Sequence, residues 1–246
     1  MMTQEQITEL AKYFHIDNFT IVREYLQLLF LNCLYQDNEA TKVFFKGGTA
    51  LRLLFLSPRF SEDLDFSTTF SKEEITQIVK RTEKLMQREL PEIKILFLYS
   101  GREELRFRIK YESVEFKYPQ IVRLDFNIVK KVKKQIVLPI ATRFPMIIFP
   151  LINCLSVENI FAEKLMALDT RDKGRDFYDV WFLLQRKIAL DKKLVTKNLL
   201  KKIAAFPQTK LESDLRPFLP QPQRKIIPIL KEELNILIIS YLHISG

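Results

Sequence analysis

The sequence predicts an α+β fold, with an α/β half over residues 1–150 and an all-helical half over residues 151–246. Two observations carry this. Strand-like alternation is confined to the first half, clearest in Leu105-Arg106-Phe107-Arg108-Ile109-Lys110-Tyr111, apolar on one face and cationic on the other. From Ser156 onward apolar residues recur at helical spacing, and Pro139, Pro145 and Pro150 punctuate the join.

Taken in order, Thr3 opens a first helix, with Gln6 as its capping-box partner. A second helix covers about 20–35, where Ile21, Tyr25, Leu28 and Leu29 follow helical spacing. Val43-Phe44-Phe45 reads as a short buried strand running into Gly47-Gly48. Residues 50–56 form a short helix closed by Pro58, and 63–67 the next strand. Ser71 starts a helix that reaches about 89, ahead of Pro91. Strands follow at 94–99, 105–111 and 121–129, the last alternating Val122, Leu124 and Phe126 against Arg123, Asp125 and Asn127. Strands are expected to end before about residue 150. Helices then cover about 156–170, 176–188, 192–206 and 229–243, with Pro228 ahead of the last.

A chain of 246 residues with 47% hydrophobic content can bury a substantial core. Its net charge of +9 favours polyanionic partners such as RNA, DNA or nucleotides. Cys33 and Cys154 sit in apolar surroundings without metal-ligand spacing or a disulfide framework, which reads as two buried thiols in a cytoplasmic protein. The N-terminus lacks a signal-peptide pattern, and the apolar run 236–239 is too short to span a membrane.

The chemistry concentrates in Lys46-Gly47-Gly48-Thr49-Ala50-Leu51 and Ser61-Glu62-Asp63-Leu64-Asp65-Phe66. A Gly-Gly turn lets backbone approach a phosphate, because no Cβ intervenes. Thr49 is expected to cap the following helix, whose N-terminus attracts anions. Period 2 puts Asp63 and Asp65 on one face of a strand, where two carboxylates can hold Mg²⁺ against phosphates. Asp125, central in an apolar strand, is a candidate third ligand, since a lone buried carboxylate is costly. These are the working parts of nucleotidyl transfer. The plainer alternative makes Asp63 and Asp65 turn carboxylates and pairs Asp125 with Arg106 or Arg108.

A second constellation joins Glu163-Lys164 to Arg175-Asp176-Phe177-Tyr178-Asp179. Lys164 lies close to an apolar helix face and can reach inward to a phosphate, while Asp176 and Asp179 share a face at i, i+3. Helix-start acids paired with nearby arginines are the alternative. Lys130, Lys131, Lys133 and Lys134, with Lys192, Lys193, Lys197, Lys201 and Lys202, form basic strips. The last five are expected on one helix, as a solvated face or as a strip for an RNA backbone.

The run 44–66, with Lys46 to Leu51 and Arg59 to Phe66, resembles the AbiEii/AbiGii-type nucleotidyltransferases, toxins of type IV-like toxin–antitoxin and abortive-infection systems. Glu163 to Leu168, Arg171 and Arg175 to Val180 resemble that family's second signature. The resemblance implies a polymerase-β-like domain with a mixed sheet followed by a helical domain. It implies transfer of a nucleoside monophosphate from an NTP onto an acceptor, often a tRNA 3′ end. By matching position, Lys46, Gly47, Gly48 and Thr49 would bind the triphosphate, with Arg59 and Ser61 positioning the nucleotide. Asp63 and Asp65 would hold Mg²⁺, Lys164 would contact phosphates, and Asp176 would be an essential acid. A cognate antitoxin is the implied partner. Protein nucleotidylation and a silent nucleotide-binding module remain alternatives on the same residues.

Overall fold

The computed structural model describes residues 2–113, 116, 118–132, 134–146, 150–189 and 192–243. Two compact units emerge: Met1–Leu56 with Phe60–Leu155, and Ser57–Arg59 with Ser156–Gly246.

The first unit opens with α1 (Gln4–Phe14), where Thr3 and Gln6 form the expected capping box. Asp17 caps α2 (Asn18–Tyr35). Ile21, Tyr25, Leu28 and Leu29 are buried on α2, and so are Val22, Leu26, Phe30 and Leu31, so this helix is apolar nearly all round. A 3₁₀ turn leads to β1 (Val43–Lys46), α3 (Gly47–Leu54) and β2 (Leu64–Thr68). Ser71 and Glu74 form a second capping box on α4 (Lys72–Met86). Then come β3 (Lys94–Ser100), β4 (Glu104–Tyr111), β5 (Gln120–Ile128), β6 (Gln135–Leu138) and β7 (Ile152–Leu155).

These strands form one mixed sheet in the order β3-β4-β5-β2-β1-β7-β6. β2 pairs parallel with β5 and β1 parallel with β7, whereas β1–β2, β3–β4, β4–β5 and β6–β7 are antiparallel. The pleat sorts the chemistry. Phe45, Phe66, Phe107 and Phe126 point into the core, where the Phe66 and Phe126 rings stack at 4.9 Å and Phe30 of α2 joins them. Their neighbours in the chain, Lys46, Asp65, Arg106 and Asp125, therefore stand on the opposite face.

The second unit contains α5 (Val157–Thr170), α6 (Gly174–Gln185), α7 (Lys197–Ala205), α8 (Gln208–Leu215) and α9 (Leu230–His243). α6 is its centre: Phe177, Tyr178, Val180, Leu183 and Leu184 are all buried, and α6 packs on α5, α8 and α9.

Several expectations are corrected. Strands do not end before residue 150: β7 pairs with β1 at Phe45↔Cys154 and β6 joins it from the other side. Four residues of β7 are too few to show periodicity, and a distant strand supplies the pairing. The helix expected at 192–206 is broken. Lys192 and Lys193 lie in a 3₁₀ turn, and Thr196 restarts the chain by accepting from the Leu199 N–H. Lys133 lies outside the described residues. Cys33 and Cys154 are buried free thiols, each pushed up to about 12 by burial. Among the described residues no helix is long and apolar enough to cross a membrane.

Candidate active site

β1 delivers Lys46 directly into Gly47, whose φ of +80° favours glycine. Space demands it as well: a Cβ there would lie 2.1 Å from Asp65 Oδ2. The first turn of α3 and the Asp65 carboxylate are thus side by side, a favourable placement for a negative charge. The helix begins earlier than the sequence suggested, at Gly47 rather than 50. Its N-cap is Lys46, which makes no side-chain cap hydrogen bond. Thr49 is therefore not the cap. It is fully buried, and its hydroxyl donates to the Asp63 carbonyl, tying α3 to the segment that enters β2. Ser61, half-buried, offers its carbonyl to Gln27 Nε2 at 3.0 Å.

Strand register lines up a row across the sheet: Lys46 opposite Asp65, Asp65 beside Asp125, Asp125 opposite Arg106, and Arg106 opposite Tyr99. Asp63 precedes β2 instead of lying on it. Arg123 stands between two of the acids, 2.5 Å from Asp63 Oδ2 and 3.1 Å from Asp125 Oδ2. Arg106 Nε lies 2.9 Å from Asp125 Oδ1 and shares its charge with Glu104 at 3.2 Å. The plainer reading of Asp125 was right about Arg106 and missed Arg123, while Arg108 stands opposite Arg123 in the register.

Burial raises the Asp63 and Asp125 carboxyls above their usual range, and repulsion adds to it, from Asp65 and Glu62 on Asp63 and from Asp63 on Asp125. The arginines only partly offset this. Asp125 Oδ1 is shielded from solvent yet lacks a properly oriented hydrogen-bond donor. Oxygen-rich, undercompensated carboxylates are the hard donors that Mg²⁺ takes, so the residues fit such an ion in chemistry. Among the described residues, no three His, Cys, Asp or Glu side chains converge on one point, because Arg123 separates the acids.

The second unit carries a different cluster. Lys164 of α5 reaches Asp176 at 3.3 Å and Asp179 at 2.8 Å, both on α6. Arg59 grips Asp179 with two bonds of 2.8 Å. Arg59 is 2% exposed and Asp179 0%. Burial alone would raise Asp179, but Arg59 and Lys164 together hold it below the ordinary carboxylate range. Asp179 and Asp176 raise Lys164 against the opposing effects of burial and of Arg59. Sequence reading grouped Lys164 with Asp176 but directed the ammonium to a phosphate, whereas here it reaches the two acids. It placed Arg59 beside a nucleotide, whereas the guanidinium is enclosed as a brace for Asp179. Asp179 is the hub that reading left out of the site, and its i, i+3 spacing from Asp176 was the available signal. Of the basic strips, Lys202 is absorbed by the Asp169 and Arg171 carbonyls and by Asp172, and Lys192 by the Leu242 carbonyl.

The family model of the AbiEii nucleotidyl transferase toxin, type IV toxin–antitoxin system, matches residues 29–239. An uncharacterized protein of Aquifex aeolicus is 29% identical over 165 residues, 63% of this chain and 64% of that relative, so the match spans less than two thirds of its length. The solved structure of MenT4, a nucleotidyltransferase toxin of Mycobacterium tuberculosis, is similar with a TM-score of 0.66 at 16% identity, covering 100% of this chain and 91% of that one. JHP933 of Helicobacter pylori has a TM-score of 0.60 at 20% identity, covering 92% and 93%. At these identities the two structures speak for the fold.

Proposed function

The chain belongs to the AbiEii nucleotidyl transferase toxin family of type IV toxin–antitoxin systems, and on that premise we propose that it transfers a nucleoside monophosphate from an NTP onto RNA, with the tRNA 3′ end as acceptor. The observation that carries this is the Gly47–Asp65 approach: a helix start free of any side chain lies against a carboxylate that is in register with a second one. The α3 N-terminus, with Lys46, Gly47 and Gly48, receives the triphosphate. Thr49 acts from behind, by fixing α3 to the Asp63 backbone. Mg²⁺, held by Asp63 and Asp65 with Asp125, would neutralise triphosphate charge. On the family resemblance Lys164 is assigned to phosphate contact and Asp176 as an essential acid, a role that requires the ammonium to leave its ion pairs with Asp176 and Asp179. An acceptor hydroxyl attacks the α-phosphorus, a phosphodiester forms, and pyrophosphate leaves. Holding the reactants in line supplies much of the rate. The reaction belongs in the cytoplasm, under the control of a cognate antitoxin.

The test is incubation of the purified chain with Mg²⁺, total tRNA and each labelled NTP in turn, beside Asp63→Ala/Asp65→Ala. Label on RNA that falls on the order of 10³-fold in the double variant is expected. Label on protein, or NTP binding without turnover, would replace the RNA reading.

A further inference from the structure

The charged face of the sheet continues beyond the aspartates. Arg108 on β4 lies directly opposite Arg123 on β5, and Lys110, which forms an exposed pair with Glu112 at 2.9 Å, follows two residues on, on the same face. Like charges directly opposed on an antiparallel pair destabilise it. Arg123 is matched by Asp63 and Asp125, and Arg106 by Asp125 and Glu104. Arg108 is not matched: among the described residues it makes no ion pair, and its Nε is shielded from water without a hydrogen-bond partner. Among the described residues no carboxylate offsets this guanidinium, which leaves its charge available to an anion from outside.

The next strand adds a different chemistry. Leu96 of β3 sits opposite Arg108, and Tyr99 sits opposite Arg106, whose guanidinium carbon is 5.5 Å from the tyrosine ring centroid. Tyr99 is 46% exposed, a flat ring at the sheet edge. An unmatched guanidinium two residues along the strand from the Arg106–Tyr99 pair, roughly 7 Å, matches a phosphodiester followed by an unstacked base on the exposed ring. An acidic peptide would satisfy Arg108 but leave the ring unused.

We propose that Arg108, Lys110 and Tyr99 form the docking surface for single-stranded RNA, with a backbone phosphate at Arg108 and a base stacked on Tyr99. This rests on the RNA-acceptor reading and gives it an address. Tyr99 is three strand spacings from Asp65, roughly 14 Å, so the stacked base lies upstream of the reacting end.

Binding of a fluorescein-labelled single-stranded RNA oligonucleotide to the full-length chain, across a salt series, tests this. Arg108→Gln is expected to weaken binding about 10-fold and to reduce the slope of log affinity against log salt by about 0.7. Arg108→Lys should recover most of that loss. Tyr99→Ala should weaken binding about 10-fold with the slope kept. Lys80→Gln, an exposed charge on α4, should match wild type. The melting temperature of Arg108→Gln should not fall, because an opposed like charge is removed, and a purely structural arginine would lower it. If wild type labels tRNA while Arg108→Gln binds RNA with unchanged affinity and slope, the docking surface is wrong and nucleotidyl transfer stands. If polyglutamate competes as well as RNA, the base-stacking assignment is overturned. If wild type binds no RNA and labels another acceptor, the RNA reading and this surface fall together.

Discussion

Asp125 in the sheet and Asp179 on α6 are both carboxylates held between two cationic side chains, yet their acidities move in opposite directions. Asp179 has both cations close: Arg59 grips it at 2.8 Å twice, and Lys164 lies 2.8 Å away. Asp125 shares its arginines, since Arg123 also serves Asp63 and Arg106 also serves Glu104. The result is a carboxyl held low on α6 and one pushed up in the sheet. What separates a brace from a binding site here is contact geometry: the two-bond Arg59 grip and the 2.8 Å Lys164 contact outweigh the burial of Asp179 even though Lys164 also serves Asp176, whereas the shared arginines do not outweigh the burial of Asp125. The α6 cluster is electrostatically closed, whereas the sheet cluster gains from any further positive charge.

The strongest way to break this contrast is Asp179→Ala. Two buried cations would lose their main counter-charge, and a loss of about 3–5 kcal/mol is expected in denaturant unfolding of the full chain. Asp125→Asn measured alongside should cost little at neutral pH. Equal losses at the two positions would abolish the distinction. A smaller effect is expected from Gly47→Ala, which combines a positive φ with overlap onto Asp65. Its stability should fall by roughly 1–3 kcal/mol, and transfer should fall with it because the Asp65 carboxylate must move.

The smallest effect is in pH dependence. Asp63 and Asp125 have raised folded-state values, so the folded protein holds their protons longer than the unfolded chain does. Stability should therefore decline as pH rises from about 4 through those raised values. Asp179 does the reverse: its contribution is present above about 4 and is lost as pH falls toward its depressed folded-state value. Melting temperature against pH should show the decline in wild type and lose it in Asp63→Asn/Asp125→Asn, with a change under about 1 kcal/mol. Added Mg²⁺ should restore stability at the upper end of that window in wild type alone.

Much of this was readable from residues. Alternation in β4 and β5 put phenylalanines on one face and charges on the other, and Asp125 was expected on a strand adjacent to the Asp63–Asp65 pair, while its register with Asp65 is a long-range fact of the sheet. The Thr3–Gln6 capping box, the Ser71 helix start and the Gly-Gly punctuation were local signals of the same kind. What escaped was long-range or ambiguous at short length. Four residues of β7 carry no period. Thr49 has a good cap residue's chemistry, but burial gave its hydroxyl to the Asp63 carbonyl instead. Arg106 and Arg108 are alike in sequence, and only the register, which sets one against Asp125 and the other against Arg123, tells them apart. Arg59 sits in a motif with Asp63, so proximity in the chain suggested a nucleotide contact; its true partner is 120 positions away.

That separation has a consequence for how the protein is made. At roughly 5–20 residues per second, Arg59 leaves the ribosome on the order of ten seconds before Asp179. Through that interval Asp179 does not yet exist, so Arg59 waits for its carboxylate while the 120 positions between them are being synthesised. A message cut short before codon 179 would yield a chain that carries Asp63 and Asp65 but not the carboxylate that seats Arg59. The buried pair thus works as a completion check, withholding the finished ion-pair cluster from any nascent or truncated copy.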